Sequence, residues 1–200
     1  MTFSIEQVPY PLSISMKSKN IWTSECPVPI ESLRLLNLTH YDFENKLLSG
    51  QMIVHEKVAK NVISIFEELL KIKFPIKKIS LIDNYNGDDQ LSMSDNNSSC
   101  FNYRKIANSK IISMHSYGLA IDINPVQNPY IFDSKVENML EIWPDEGKLY
   151  LNRTNRRAGM VEPIVTLFAY YGFTVWGGSW NEPLDYHHFQ IDRLHLSNFL

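Results

Sequence analysis

Between residues 56 and 72 the sequence EKVAKNVISIFEELLKI repeats apolar residues at three- and four-residue intervals. Val58, Val62, Ile65, Phe66, Leu69 and Leu70 fall on one face with charges opposite, which predicts an amphipathic helix. Phe74-Pro75 should end it, because the residue before a proline avoids helical geometry. Upstream, LRLLNLTHYDFENKLLSGQMIVH predicts a short helix, a loop and a strand at Gln51–His55. Downstream, KKISLID at 77–83 reads as a strand, and the polar, Gly- and Asn-containing stretch 84–100 reads as a loop. FNYRKI and the small-residue stretch GLAIDIN at 118–124 are further strands. About thirty irregular residues are expected after Pro125 and Pro129. Glu162–Tyr171 predicts an apolar helix capped by Gly172, and FTVW and HHFQI supply the last strands. Residues 1–30, rich in Pro, Ser and Lys, read as an irregular arm before a single domain over 31–200. The pattern is α+β, with helices packed on a mostly antiparallel sheet.

Composition narrows the function. The chain has 200 residues, 44% of them hydrophobic, enough for one sizeable core. A formal charge of −3 argues against a nucleic-acid partner, which needs a basic face. The basic residues are scattered, apart from Arg153, Arg156 and Arg157. No run is apolar enough to span a membrane, and the first twenty residues lack the continuous hydrophobic core of a signal peptide. Two cysteines, Cys26 and Cys100, have no CxxC spacing. They make neither a disulfide scaffold nor a thiolate metal site, and a reduced, incidental pair is the expectation.

Two segments carry the chemistry. SMHSYGLAIDINP, Ser113 to Pro125, sets His115 and Asp122 seven residues apart across a glycine that lets the chain turn. WGGSWNEPLDYHHFQI, Trp176 to Ile191, sets Asp185 three residues before His188. If the two segments are neighbours in a sheet, His115, Asp122 and His188 form a three-ligand site. Three protein ligands and a water is the pattern of catalytic zinc, whereas structural zinc is usually closed by four. By spacing alone, a His and an Asp seven apart occur often by chance.

The segments resemble the zinc peptidases of peptidoglycan stems: VanY-type D-alanyl-D-alanine carboxypeptidases and the L-alanyl-D-glutamate endopeptidases of phage endolysins. The pattern S-x-H-x-x-G-x-A-x-D is met at Ser113, His115, Gly118, Ala120 and Asp122. The later pattern, an acid, two residues, then His-Phe, is met at Asp185, His188 and Phe189, and an upstream arginine at Arg104 in FNYR. The resemblance implies a hedgehog/D-Ala-D-Ala-peptidase-like zinc domain, with Zn2+ on His115, Asp122 and His188. It casts Asp185 as general base and Arg104 as the holder of a substrate carbonyl oxygen or carboxylate. His188 rather than His187 is the ligand implied, since strand neighbours point to opposite faces; His187 is left as a substrate-side or supporting group.

Ser113, Tyr186 and Trp180 are candidate substrate contacts, although a turn role for Ser113 and core roles for Trp176, Trp180 and Tyr186 are open. His40, His55 and His195 have no motif context and read as structural or surface groups. Asp88, Asp89 and Asp95 read as solvated loop carboxylates. Arg156 and Arg157 read as a surface pair or as contacts for an acidic stem peptide.

The partners implied are peptidoglycan stem peptides, and a monomer is expected. Such an enzyme would act outside the cytoplasm or after release on lysis. Relatives with Asp at the base position tend to cleave L-alanyl-D-glutamate, and those with Glu tend to release D-alanine, so Asp185 favours the endopeptidase reading. A non-catalytic zinc-containing binding module is the reading from another class.

Overall fold

A computed structural model describes residues 3–106, 109–134 and 139–200. It is mixed α+β, with three small antiparallel sheets and one short parallel pairing. The first sheet joins β1 (Ser4–Gln7), β2 (Leu33–Tyr41) and β3 (Leu47–His55), with β2 in the middle. Helix α1 (Tyr10–Ser18) lies between the first two strands in sequence. The segment before residue 30, expected to be irregular, therefore includes a strand registered from Ser4 opposite Asn37 to Gln7 opposite Arg34.

The predicted short helix at LRLLNL is also corrected: it belongs to β2, paired along its whole length with β3. The physical reason is its central position. Leu33, Leu35, Leu36 and Leu38 are all buried, and a strand covered on both faces loses the apolar–polar alternation that identifies strands.

The amphipathic helix is present as α2 (Ala59–Lys71), preceded by a 3-10 turn at Glu56–Val58. Val62, Ile65, Phe66 and Leu69 are buried, each worth about 1.5–3 kcal/mol relative to exposure. The helix stops before Pro75 takes effect. Lys73 adopts φ 53°, and the Phe74 amide donates to the Leu69 carbonyl at 2.9 Å, a Schellman-type closure.

The stretch 77–100 is more ordered than predicted. It holds β4 (Lys78–Ile79), a 3-10 turn at Ile82–Tyr85, α3 (Asp89–Ser94) and β5 (Asn97–Ser98), which pairs parallel with β4. Asp88 is the N-cap of α3, accepting from the Leu91 amide at 3.0 Å. FNYRKI is not a strand and contributes a single bridge, Lys105 to Ile112.

The last two sheets frame the chemistry. β6 (Ala120–Asp122), β11 (His188–Gln190) and β9 (Val175–Trp176) form one, with β11 central. β7 (Tyr130–Ser134), β8 (Met139–Trp143) and β10 (Leu184–Asp185) form the other, with β7 central. β7 and β8 thus put an antiparallel strand pair where irregular chain was predicted. The helix predicted at Glu162–Tyr171 is a 3-10 turn at Glu162–Ile164 running into α4 (Val165–Tyr170). Gly172 follows with φ 97°. Phe168 of α4 stacks on Phe189 of β11, ring centroids 4.1 Å apart, which ties that helix to the strand carrying His188. No helix of the described residues is long and apolar enough to cross a membrane.

Candidate metal and active site

Gly118 makes the first motif fold as it does. It ends a 3-10 turn, Met114–Tyr117, with φ 68°, a conformation that glycine adopts without steric cost. A Cβ there would lie 2.5 Å from the His55 backbone nitrogen. The absent side chain lets the Gly118 carbonyl accept from that nitrogen at 3.0 Å. The turn carries His115; the chain then enters β6, whose last residue is Asp122.

In the antiparallel register of β6 and β11, Asp122 stands opposite His188. The three side chains come together, the two segments being neighbours in the sheet. His188 Nδ1 is 3.0 Å from Asp122 Oδ1, and His115 Nε2 is 3.2 Å from Asp122 Oδ2. One ligand atom from each of the three buried residues lies within 4.8 Å of the others.

The segment Ser99–Asn102 holds this arrangement from behind. Ser99 and Asp122 exchange two backbone hydrogen bonds, at 3.0 and 2.9 Å. The Cys100 carbonyl accepts from His115 Nδ1 at 2.6 Å, and the Asn102 amide donates to the His115 carbonyl at 3.3 Å.

The donor set fits a metal ion. Cys100 O can only accept, so it fixes the proton of His115 on Nδ1 and leaves a lone pair on Nε2. Gln190 Oε1, 2.9 Å from His188 Nε2, does the same for His188 and leaves the lone pair on Nδ1. Holding a ligand's tautomer through its other nitrogen is the usual support of a metal-bound histidine. The two lone-pair nitrogens face each other at 3.2 Å, beside a carboxylate, and that geometry calls for a positive charge between them.

Burial disfavours the charged forms, but the neighbouring histidines hold the Asp122 carboxyl well below the usual range. Burial likewise opposes protonation of His188, yet its contact with Asp122 raises its pKa.

His187 is buried too, but lies outside the ligand trio. Its Nδ1 donates to the Asn128 carbonyl at 2.7 Å. Its Nε2 is 2.9 Å from Asp185 Oδ1 and 3.9 Å from Asp122 Oδ2. The contact with Asp185 is close but out of line for a hydrogen bond, so Oδ1 is a buried acceptor without a donor. Against the cost of burial, Asp185 and Asp122 raise the pKa of His187 to about 10. Gly177 makes room for Asp185: a Cβ there would sit 2.4 Å from the Asp185 carbonyl oxygen.

The other predicted residues divide. Arg104 NH2 pairs with Asp89 Oδ2 at 2.9 Å, while its Nε is buried without an acceptor. No contact joins it to the ligand trio among the described residues. Ser113 Oγ accepts from the His115 amide at 3.3 Å, which makes it the cap of the ligand-bearing turn. The Trp180 ring centroid lies 5.4 Å from that of His188. Tyr186 is half-buried under the Arg153 guanidinium, 4.3 Å from its ring centre, and its carbonyl accepts from Trp176 Nε1.

Of the loop carboxylates expected to be solvated, Asp88 and Asp95 are exposed and Asp89 is half-buried, and the last two have partners. Asp89 pairs with Arg104, and Asp95 with Lys78 and Tyr85. His55 is buried, with Nε2 3.0 Å from the Phe199 carbonyl; His195 is exposed. His40 is buried with no partner at either ring nitrogen. Cys26 and Cys100 are free. Arg156 is exposed, and Arg157 stacks on Tyr150.

Two residues behind the site had no sequence signal. Arg153, grouped by composition with the surface arginines, is instead largely buried. It pairs with both oxygens of Glu162, at 2.6 and 2.9 Å, and donates to Gln127 O and Asn128 Oδ1. Asn128, fully buried, spends its amide on the Ile123, Asn124 and Gly159 carbonyls.

Residues 107–191 match the D-alanyl-D-alanine carboxypeptidase family. The matched stretch is just under half of the chain and contains the whole ligand trio together with Asp185 and His187. Arg104 lies three residues before it. No curated protein and no solved structure matches the chain.

Proposed function

We propose that this protein is a zinc metallopeptidase that hydrolyses peptide bonds in peptidoglycan stem peptides, cutting between L-alanine and D-glutamate. The observation that carries the reading is the His115–Asp122–His188 trio with a separate carboxylate, Asp185, beside it. The family match supports the peptidase class, and a hedgehog/D-Ala-D-Ala-peptidase-like domain is the fold this reading implies. Zinc, with nitrogen and carboxylate ligands and no thiolates, suits the donor set. When bound, it would polarise a carbonyl and lower the pKa of a water to about 7.

The chain's own groups do the rest. Asp185 takes the proton of the attacking water and returns it to the leaving amine. The unpartnered Nε–H of Arg104 is a donor in search of an acceptor, and a substrate carbonyl oxygen fits it. An arginine near the developing oxyanion lowers the barrier by roughly a few kcal/mol.

Two features favour the endopeptidase over the carboxypeptidase. The base is Asp, one methylene shorter than Glu, which changes which carbonyl comes within about 3–3.5 Å in good alignment. The charge of Arg104 is already paired with Asp89, so it is a poor dock for a free terminal carboxylate. The description of the matched family favours the second reading, release of terminal D-alanine. A time course of the zinc-loaded protein on a defined pentapeptide stem, with both products quantified by mass spectrometry, separates them. Free D-alanine appearing first with the L-alanyl bond intact would refute the endopeptidase. No cleavage of either bond would leave a binding module.

A further inference from the structure

We infer that His187 is a positioning residue for Asp185, an imidazole clamped at one nitrogen that sets where the base's carboxylate lies. The inference rests on the reading of Asp185 as the base.

Three observations carry it. The His187 side chain is 4% exposed and that of Asp185 14%, so neither is free to move into water. Nδ1 is pinned at 2.7 Å on the Asn128 carbonyl, which fixes the plane of the ring. Nε2 then faces Asp185 Oδ1 at 2.9 Å and Asp122 Oδ2 at 3.9 Å. One imidazole is thus interposed between the base and a metal-ligand carboxylate, keeping apart two anions that would otherwise repel.

The pin is itself held. Arg153 donates to Asn128 Oδ1 at 2.8 Å while locked to Glu162, and the Val161 amide donates to the same Oδ1 at 3.0 Å. Arg153 also stacks on Tyr186, the residue between Asp185 and His187. A rigid path therefore runs from the Glu162–Arg153 pair through Asn128 to His187, ending at Asp185. The carboxylate is restrained by this close contact, 2.9 Å from Nε2, and not by a formed hydrogen bond, and displacement of a reacting group by about 1 Å can cost about 10²-fold in rate.

Two variants test it. His187→Phe keeps the ring volume and removes both polar contacts. His187→Gln keeps an amide donor of comparable reach. Zinc content, steady-state kinetics on the stem peptide and zinc-loaded crystal structures of both are compared with the unaltered protein. His187→Phe should keep stoichiometric zinc and an unchanged KM, lose about 10²-fold in kcat, and show Asp185 turned away. His187→Gln should recover most of the rate.

Loss of zinc in His187→Phe would make the residue a ligand or a ligand's support and overturn the inference. So would an undisplaced Asp185 with unchanged kcat. If the unaltered protein cleaves no stem peptide, the proposed function fails, and the position of Asp185 in the two crystal structures still decides the role of His187.

Discussion

Replacing Gly118 by alanine tests whether the motif that carries His115 and Asp122 depends on a backbone conformation. Two terms add. At φ 68° an L-residue pays roughly 1–2 kcal/mol for the left-handed region. The new methyl would also meet the His55 nitrogen at 2.5 Å and the Val54 carbonyl carbon at 3.0 Å. These are backbone atoms of β3 and cannot rotate aside, so overpacking should cost about 1–3 kcal/mol more.

Gly172 supplies the control, with φ 97° but no added contact closer than 3.7 Å, to Ile191 Cδ1. Gly172→Ala should show the conformational cost alone, and Gly118→Ala a total of about 2–5 kcal/mol. At about 2–4 °C per kcal/mol for a domain of this size, the midpoints should fall by about 2–8 °C and about 4–20 °C. Thermal unfolding of both, metal-free, measures this. A Gly118→Ala midpoint no lower than that of Gly172→Ala would refute the packing argument. Zinc titration of the same variant should show weakened binding, because the turn that aims His115 is the part displaced.

Asp185→Ala should lower kcat by about 10²–10⁴-fold with zinc retained, whereas His188→Ala should lose the metal; equal zinc loss in both would contradict the division of roles. Arg153→Ala leaves the Glu162 carboxylate, 11% exposed, without its partner and should destabilise by about 3–5 kcal/mol in urea unfolding. For His40, burial pushes the pKa down to about 4. As pH falls below about 6.5 the unfolded chain takes up a proton that the folded one refuses, so stability should drop by about 3 kcal/mol by pH 4. His40→Leu should remove that part of the pH dependence, and an unchanged profile would disprove the assignment. Asp89→Asn, by freeing the Arg104 charge, should raise the rate of D-alanine release relative to L-alanyl bond cleavage, read from the same product time course.

The parts of the site that were legible in the sequence are those carried by two short motifs, and it was their family resemblance, not their spacing, that singled them out. His115, Gly118 and Asp122 lie within eight residues, and the β6–β11 register brings His188 to them. The remaining parts depend on distant pairings. Asn128 and Arg153 are 25 residues apart and meet through a side chain that composition grouped with the surface arginines. The charge of Arg104 is partnered from α3, in a stretch whose polarity reads as loop. β2 was misread because burial on both faces erased its period, while α2, half-exposed, kept its own.

Every contact described from Ser99–Asn102 to His115 and Asp122 is made by main-chain atoms: the amide and carbonyl of Ser99, the carbonyl of Cys100 and the amide of Asn102. An alanine scan through this stretch would leave all of them in place, and whatever losses it gave would report the buried Cys100 and Phe101 side chains and the Asn102 bond to the Gly87 carbonyl instead. The stretch's contribution to the site is the path of the backbone, and only changes that alter that path can expose it, such as proline at Ser99, which deletes the amide given to Asp122. What the side chains of this stretch do lies elsewhere: Cys100 and Phe101 fill the core and Asn102 Nδ2 donates to the Gly87 carbonyl, so one short segment serves the core through its side chains and the His115–Asp122 pair through its backbone.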